Sequence, residues 1–320
     1  MTTRLRAATT SLATIALLTL GTALMPSTTA SAQLGSSGSS GGAGAGEIPG
    51  VNEEGCTSTQ HPQPVVLLHG TDMTWQDTFE DLVPPLKGDG YCLFAFNYGG
   101  LPAKNELLPR TAWGTKPIEQ SAAELNTYID DLLERTGAEQ VDIVSHSQGG
   151  TMTRQYLRFL GGADRPKVKT LVMLAPSTHG STGGDTFFTE AQAAAADAPV
   201  AIQQQVIGSR FLTALNADNK ETFPGIQYTV IASNTDEVIT PAPPKIATNL
   251  SLLIPAPGTE DSVHNITVQD VCNDPGLLIR HNDDVNKDTG KPMGMLNHPA
   301  PLFLVRKALD PTLADTISCS

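Results

Sequence analysis

The chain has 320 residues, of which 39% are hydrophobic and 17% charged, and its formal net charge is −13. An acidic balance of this size repels phosphate backbones and anionic lipid surfaces, which excludes nucleic acid and an electrostatically held membrane attachment as partners. Nothing in the composition speaks to an oligomeric state.

Arg4 and Arg6 form a short basic region, followed by an apolar core from Leu12 to Met25 and by Ala30-Ser31-Ala32, a small-residue cleavage pattern. Residues 1–32 are therefore expected to be a signal peptide, with Gln33 opening a mature, secreted chain that is more acidic still. The apolar core is too short to span a bilayer comfortably. No later run approaches the ~20 residues of a spanning helix, so no stable membrane anchor is expected. Residues 33–50 are mostly Gly, Ser and Ala and read as a flexible linker. The 270 residues from 51 to 320 then fit one α/β domain, with neither a second linker nor an internal repeat.

The four cysteines, Cys56, Cys92, Cys272 and Cys319, are an even number in a chain read as exported, which favours disulfides. With no C-x-x-C pair and no clustered histidines, no metal is expected. Spacing allows three pairings. The sequential one, Cys56 with Cys92 and Cys272 with Cys319, ties the start of the domain to an early strand and the tail to the C-terminal part.

Residues 64–71, Pro-Val-Val-Leu-Leu-His-Gly-Thr, read as a buried strand ending at a glycine turn, and residues 92–98 as a second strand. Between them Phe79, Leu82 and Leu86 predict a helix interrupted by Pro84-Pro85. Ile118, Ala122, Leu125, Ile129, Leu132 and Leu133 recur at helical spacing between Pro117 and Gly137. Residues 140–145 follow as a strand and lead to Ser145-His146-Ser147-Gln148-Gly149-Gly150. A helix pattern of Met152, Tyr156, Leu157 and Leu160 then stops at Gly161-Gly162. Strands over 169–174 and 226–232 continue the alternation, which implies a parallel sheet covered on both faces. Residues 182–200, with Phe187-Phe188 and an alanine run, follow a strand end, so a lid or substrate wall contributed by Phe187 and Phe188 is one reading and a surface excursion the other. Residues 250–254 and 266–268 are expected to add a strand or two, and residues 301–309 a closing helix.

Ser147 stands at the apex of a G-x-S-x-G-like elbow, in which a serine on a tight strand-to-helix turn is flanked by small residues so that strand and helix can pack closely. Ser145 takes the place of the first glycine and is still small. A serine hydroxyl becomes nucleophilic when a histidine removes its proton and a carboxylate holds that histidine. Asp236, just past the strand over 226–232, is the candidate acid, with Glu237 beside it expected to face elsewhere. His264, His281 and His298 are the histidines downstream. The developing oxyanion needs backbone N–H donors, for which Gln148 at the helix N-terminus and Thr71 after the His69-Gly70 turn are the candidates. His69 and His146 are expected to be structural.

Together these motifs resemble the secreted bacterial lipases of the α/β-hydrolase superfamily, and more distantly the yeast lipase B type. The resemblance is carried by residues 68–71, Gly90-Tyr91-Cys92, the elbow at 145–150, Leu174-Ala175-Pro176, Gln204-Gln205, Gly208-Ser209, Asp236-Glu237 and Val268-Gln269-Asp270-Val271-Cys272. It implies an α/β-hydrolase fold and a cofactor-free acyl hydrolase acting on triacylglycerols or simpler esters through an acyl-enzyme, with a lipid or ester substrate as partner. It supports the sequential disulfide pairing. It also implies His281 as the base, a short stretch after the cysteine of the last motif, with His298 the runner-up before the closing helix. The same triad would serve an acyltransferase or a cutinase-like polyester hydrolase.

Overall fold

The computed structural model describes residues 48–100, 111–181, 183, 189–239 and 249–320. Their strands are β1 (Val65–Leu68), β2 (Leu93–Ala95), β3 (Val141–His146), β4 (Val168–Leu174), β5 (Gln227–Ala232) and β6 (Val263–Thr267). They pair in parallel throughout, in the order β2-β1-β3-β4-β5-β6. The helices are α1 (Trp75–Phe79), α2 (Val83–Gly88), α3 (Ile118–Thr136), α4 (Gln148–Phe159), α5 (Glu190–Ala195), α6 (Val200–Gln205), α7 (Arg210–Leu215), α8 (Val268–Val271) and α9 (Pro299–Leu309).

Successive residues of a strand point to opposite faces, and this period of two divides the core. Val66, Leu68, Ile143, Leu171 and Met173 pack on one face with Ile118, Leu125 and Ile129 of α3, Met152 and Tyr156 of α4, and Leu212 of α7. Val65, Leu67, Val144, Val172 and Leu174 pack on the other with Trp75 and Phe79 of α1, Val83 and Leu86 of α2, and Leu304 and Val305 of α9. The sheet is thus buried on both faces, which is why its strands read as continuous apolar runs. Ile48 and Val51 pack against the second cluster.

Register decides where the chemistry can be. Leu68 lies opposite Ser145, His146 opposite Leu174, Leu174 opposite Ile231 and Ala232 opposite Thr267. The carboxyl ends of β1, β3, β4, β5 and β6 therefore meet at one edge, where parallel α/β sheets bind their ligands. Residues 69–71, Ser147, Ala175, residues 233–236 and Gln269 all follow directly from that edge.

The local signals explain the long helix. α3 follows Pro117 and ends at Gly137, whose φ of 69° is the left-handed conformation that glycine supplies at a helix end, with its N–H donating to Leu133 O. Three expectations need correction. Residues 250–254 are irregular rather than a strand, because the Asn265 side chain serves both the N–H and the carbonyl of Leu253 while Glu221 accepts from the Ile254 N–H. The last strand, β6, begins at Val263 instead of 266, and the closing helix begins at Pro299.

Disulfides join Cys56 to Cys92 and Cys272 to Cys319. Each closes a loop of several tens of residues and contributes about 4 kcal/mol in the chain-entropy account. Among the described residues, no helix is long and apolar enough to cross a membrane, and no group of three or more His, Cys, Asp or Glu is placed to hold a metal.

Candidate active site

Ser147 sits between β3 and α4 with φ 52° and ψ −122°. A non-glycine residue held there stores roughly 1–3 kcal/mol of strain, which the surrounding packing must offset. Its N–H donates to Leu174 O at 2.9 Å. The small neighbours have measurable reasons. A Cβ on Gly149 would stand 2.6 Å from Leu68 O, and one on Gly150 3.0 Å from Met173 and Pro176, so α4 lies against β1 and β4 only because both positions lack side chains. Ser145 is fully buried and fits where the elbow pattern has glycine, because its Oγ donates to Val172 O at 3.2 Å.

His281 reaches this serine from a loop 134 residues further on, with Nε2 3.0 Å from Ser147 Oγ. Its Nδ1 is 2.8 Å from Asp236 Oδ2. The other carboxylate oxygen, Oδ1, accepts from the N–H groups of Val238 at 2.8 Å and Ile239 at 2.9 Å, which fixes the plane of the carboxylate. All three side chains are buried. Burial pulls His281 toward its neutral form, but the Asp236 charge and hydrogen bond, with Glu237 and Asp284 adding to them, outweigh that effect and raise its pKa above the ordinary 6.5.

His298 is engaged elsewhere. It is the N-cap of α9, where Nδ1 accepts from the Ala300 N–H at 3.1 Å, a contact that needs the neutral ring. His264 is exposed on β6. His69 and His146 are wholly buried. His69 stacks on Tyr98 and accepts from its N–H, while His146 Nε2 donates to the His281 carbonyl at 3.0 Å.

Among the described residues, the N–H groups of Thr71 and Gln148 have no protein acceptor. The Gln148 side chain donates to Thr71 Oγ1 at 2.8 Å and to Gly114 O at 2.8 Å. Gln205 of α6 donates to the same Thr71 oxygen at 3.0 Å and is itself held by Ser177, whose Oγ donates to Gln205 Oε1. Two incoming N–H groups occupy both lone pairs of the Thr71 hydroxyl, which leaves its own proton to donate.

Sequence reasoning gave no site role to Gln205, although Gln204-Gln205 is among the motifs that carry the resemblance, and it missed the contact of Glu237. Expected to face elsewhere, Glu237 instead accepts from the His281 N–H through Oε2 at 3.2 Å. Phe187 and Phe188, the expected substrate wall, lie outside the described residues.

The sequence profile of the family described as Lipase (class 2) matches residues 62–276. The fold is similar to that of lipase B from Aspergillus fumigatus, with a TM-score of 0.57 at 17% identity over 81% of this chain and 54% of that one. The chain thus spans about half the length of the Aspergillus protein. A serine hydrolase from the polyaromatic hydrocarbon-degrading bacterium Cycloclasticus zankles is similar at a TM-score of 0.44 and 16% identity, over 82% of this chain and 98% of that one. The architecture shared with the Aspergillus lipase is the α/β-hydrolase fold.

Proposed function

Since the chain belongs to the class 2 lipase family, we propose that it is a carboxylic ester hydrolase and cleaves its substrate through an acyl-enzyme carried on Ser147. The observation that carries this reading is the continuous buried line from Asp236 Oδ2 to His281 Nδ1 at 2.8 Å and from His281 Nε2 to Ser147 Oγ at 3.0 Å. Both distances are those of formed hydrogen bonds, so the base is already in reach of the proton it must take.

In the first step His281 Nε2 accepts the Ser147 proton as Oγ bonds to the ester carbonyl carbon, and Asp236 stabilises the imidazolium that results. The negative charge that develops on the carbonyl oxygen is met by the N–H groups of Thr71 and Gln148, with the Thr71 hydroxyl as a further donor and the positive end of α4 behind them. The imidazolium then returns its proton to the departing alkoxide oxygen, which leaves as the alcohol. Water, deprotonated by the same nitrogen, attacks the acyl carbon; the acyl–Oγ bond breaks, the imidazolium returns its proton to Ser147 Oγ, and the carboxylic acid leaves.

The substrates we assign are triacylglycerols and simpler carboxylic esters, in keeping with the family. The catalytic unit is residues 51–320, preceded by a signal peptide and a linker. Export from the cell is supported by the two disulfides, which persist in oxidising compartments.

The test is direct. Ser147→Ala should fold as the parent does and lose on the order of 10⁶ in kcat. Mass spectrometry of wild-type enzyme quenched during turnover of a slow ester should place the acyl adduct on the peptide containing Ser147. An alanine variant that keeps a tenth of the activity would sink the assignment, and a rate profile over esters of increasing acyl length fixes the substrate class.

A further inference from the structure

Asp236 and His281 lie on different loops, residues 233–236 after β5 and residues 277–281 after α8. Neither loop belongs to a regular element, and the contacts between their tips, Asp236 with the His281 ring and Glu237 with the His281 N–H, do not by themselves fix a separation of 2.8 Å. The buried side chain that joins the two loops at their roots is Gln269 of α8, which is 2% exposed. Its Nε2 lies 3.0 Å from Ser233 Oγ, 3.2 Å from Thr235 Oγ1 and 2.9 Å from Leu277 O. Its Oε1 accepts from the Asn234 N–H at 3.1 Å. One amide therefore holds three consecutive residues of the acid loop and one of the base loop.

The hydroxyls it touches continue the link. Ser233 Oγ donates to Ile279 O at 2.7 Å and accepts from the Thr235 N–H at 3.0 Å. Thr235 Oγ1 accepts from the Ile279 N–H at 2.8 Å. Ile279 is two residues before His281, and Thr235 is one residue before Asp236. Both polar atoms of the Gln269 amide are used, and a buried network satisfied in this way admits one arrangement of its members.

We propose that Gln269 is a positioning residue that sets the separation of the acid and the base by clamping their two loops to each other through Ser233 and Thr235. The assignment rests on the reading of Ser147, His281 and Asp236 as a catalytic triad. Gln269 touches none of the three and acts only through the loops. Its neighbours in sequence, Val268 and Cys272, serve the same end: Val268 packs in the core beneath the sheet edge, and Cys272 is bonded to Cys319, so the support that carries the amide is itself anchored.

The experiment replaces Gln269 with Leu, which keeps much of the volume and removes every hydrogen bond, and alongside it replaces Ser233 with Ala, which removes one hydroxyl and leaves the amide. Both variants, the wild-type enzyme and Ser147→Ala are assayed on a soluble short-chain ester across pH. Misplacement of the base by about an ångström costs on the order of 100-fold, so Gln269→Leu should lose kcat by that factor with KM little changed, and Ser233→Ala by less. With Asp236 on average further from His281, the acidic limb of kcat/KM should also move to lower pH in both variants, because the attraction that favours the protonated ring falls with distance.

A partly unfolded population lowers the rate most toward acid, where the folded state loses stability, and so moves the limb to higher rather than lower pH. A fall in kcat with an unmoved limb would therefore overturn the proposal, as would a folded Gln269→Leu enzyme with wild-type kcat. An active Ser147→Ala enzyme would instead remove the triad reading itself. An inactive Ser147→Ala beside an unaltered Gln269→Leu would remove only the clamp.

Discussion

The carbonyl oxygen of His281 accepts a hydrogen bond at 3.0 Å from Nε2 of His146, the residue immediately before Ser147. The proton must therefore sit on Nε2 of His146. Among the described residues the lone pair on Nδ1 is buried without a partner, and it faces Gly70, where a Cβ would come within 2.9 Å of it. Burial, with help from the nearby His281 charge, holds His146 well below the ordinary histidine range and so keeps it neutral, although its bond to the His281 carbonyl works the other way.

His146→Leu should accordingly leave the His281 carbonyl buried and unsatisfied, at a cost of about 1–3 kcal/mol. His146→Gln, which can still present an N–H, should recover part of that loss. Urea midpoints of the two variants check the ranking. Equal midpoints would show that the hydrogen bond contributes nothing to stability.

The raised pKa of His281 gives activity a direction in pH. On the proposed mechanism His281 must be neutral to accept the Ser147 proton, so kcat/KM should rise along an acidic limb centred above 6.5. Asp236→Asn removes the charge that outweighs burial. The limb should then fall below 6.5, and kcat should drop by on the order of 10⁴ through loss of the tautomer that the carboxylate holds. For stability, the folded state favours protonated His281. That contribution is complete below 6.5 and is lost as pH rises through the raised value. A pH-rate profile with the limb unmoved in Asp236→Asn would exclude this coupling.

Much of this site is legible in the sequence because the features that build it are local. The apolar run before Ser147, the glycines after it and the polar Asp236 at a strand end each follow from chemistry within a few residues. The choice of His281 over His298 is not local, since both lie downstream of Asp236 and both are buried; the resemblance implies it, and the fold adds that one ring lies beside Ser147 and the other at the cap of α9. Residues 250–254 were misread because an apolar run has the same appearance whether its backbone pairs with a strand or with the side chains of Asn265 and Glu221. The contacts of Gln269, Glu237 and Gln205 lie equally out of reach, since each depends on segments tens of residues apart meeting at the sheet edge.

Two glycines with opposite reasons for being glycine give a paired test. Gly149→Ala would put a methyl group 2.6 Å from Leu68 O, an atom of the sheet backbone that cannot rotate away. The helix must shift, at a cost of about 1–3 kcal/mol, and Gln148 shifts with it, so kcat/KM should fall by on the order of 100-fold. At Gly137 nothing lies within 4 Å of an added Cβ, and the cost comes from the φ of 69° alone. Gly137→Ala should lose roughly 1–2 kcal/mol and keep the wild-type kcat. Thermal unfolding beside steady-state assays separates the two, and a fully active Gly149→Ala enzyme would contradict the close packing of α4 on β1.

Acid should destabilise the protein in part through His69. This ring lies wholly buried against Tyr98, with Nδ1 2.7 Å from Gly70 O and Nε2 accepting the Tyr98 N–H, so the folded state requires it neutral. Burial, opposed by the Gly70 hydrogen bond and the Asp77 charge, lowers its pKa to about 4, while in the unfolded chain it titrates near 6.5. Between those values the unfolded state binds the extra proton, so stability is retained above 6.5 and is lost as pH falls through about 4. Over that window the loss from this one group amounts to roughly 3 kcal/mol. His69→Gln cannot be protonated and escapes the loss, although it gives up the stack on Tyr98 and is expected to be the less stable protein at pH 7. The difference in unfolding free energy between wild type and His69→Gln, taken from urea denaturation at several pH values, should therefore narrow steadily from pH 7 to pH 4. A difference that stays constant across that range would mean that His69 carries the same protonation in the folded and unfolded states, contrary to its burial.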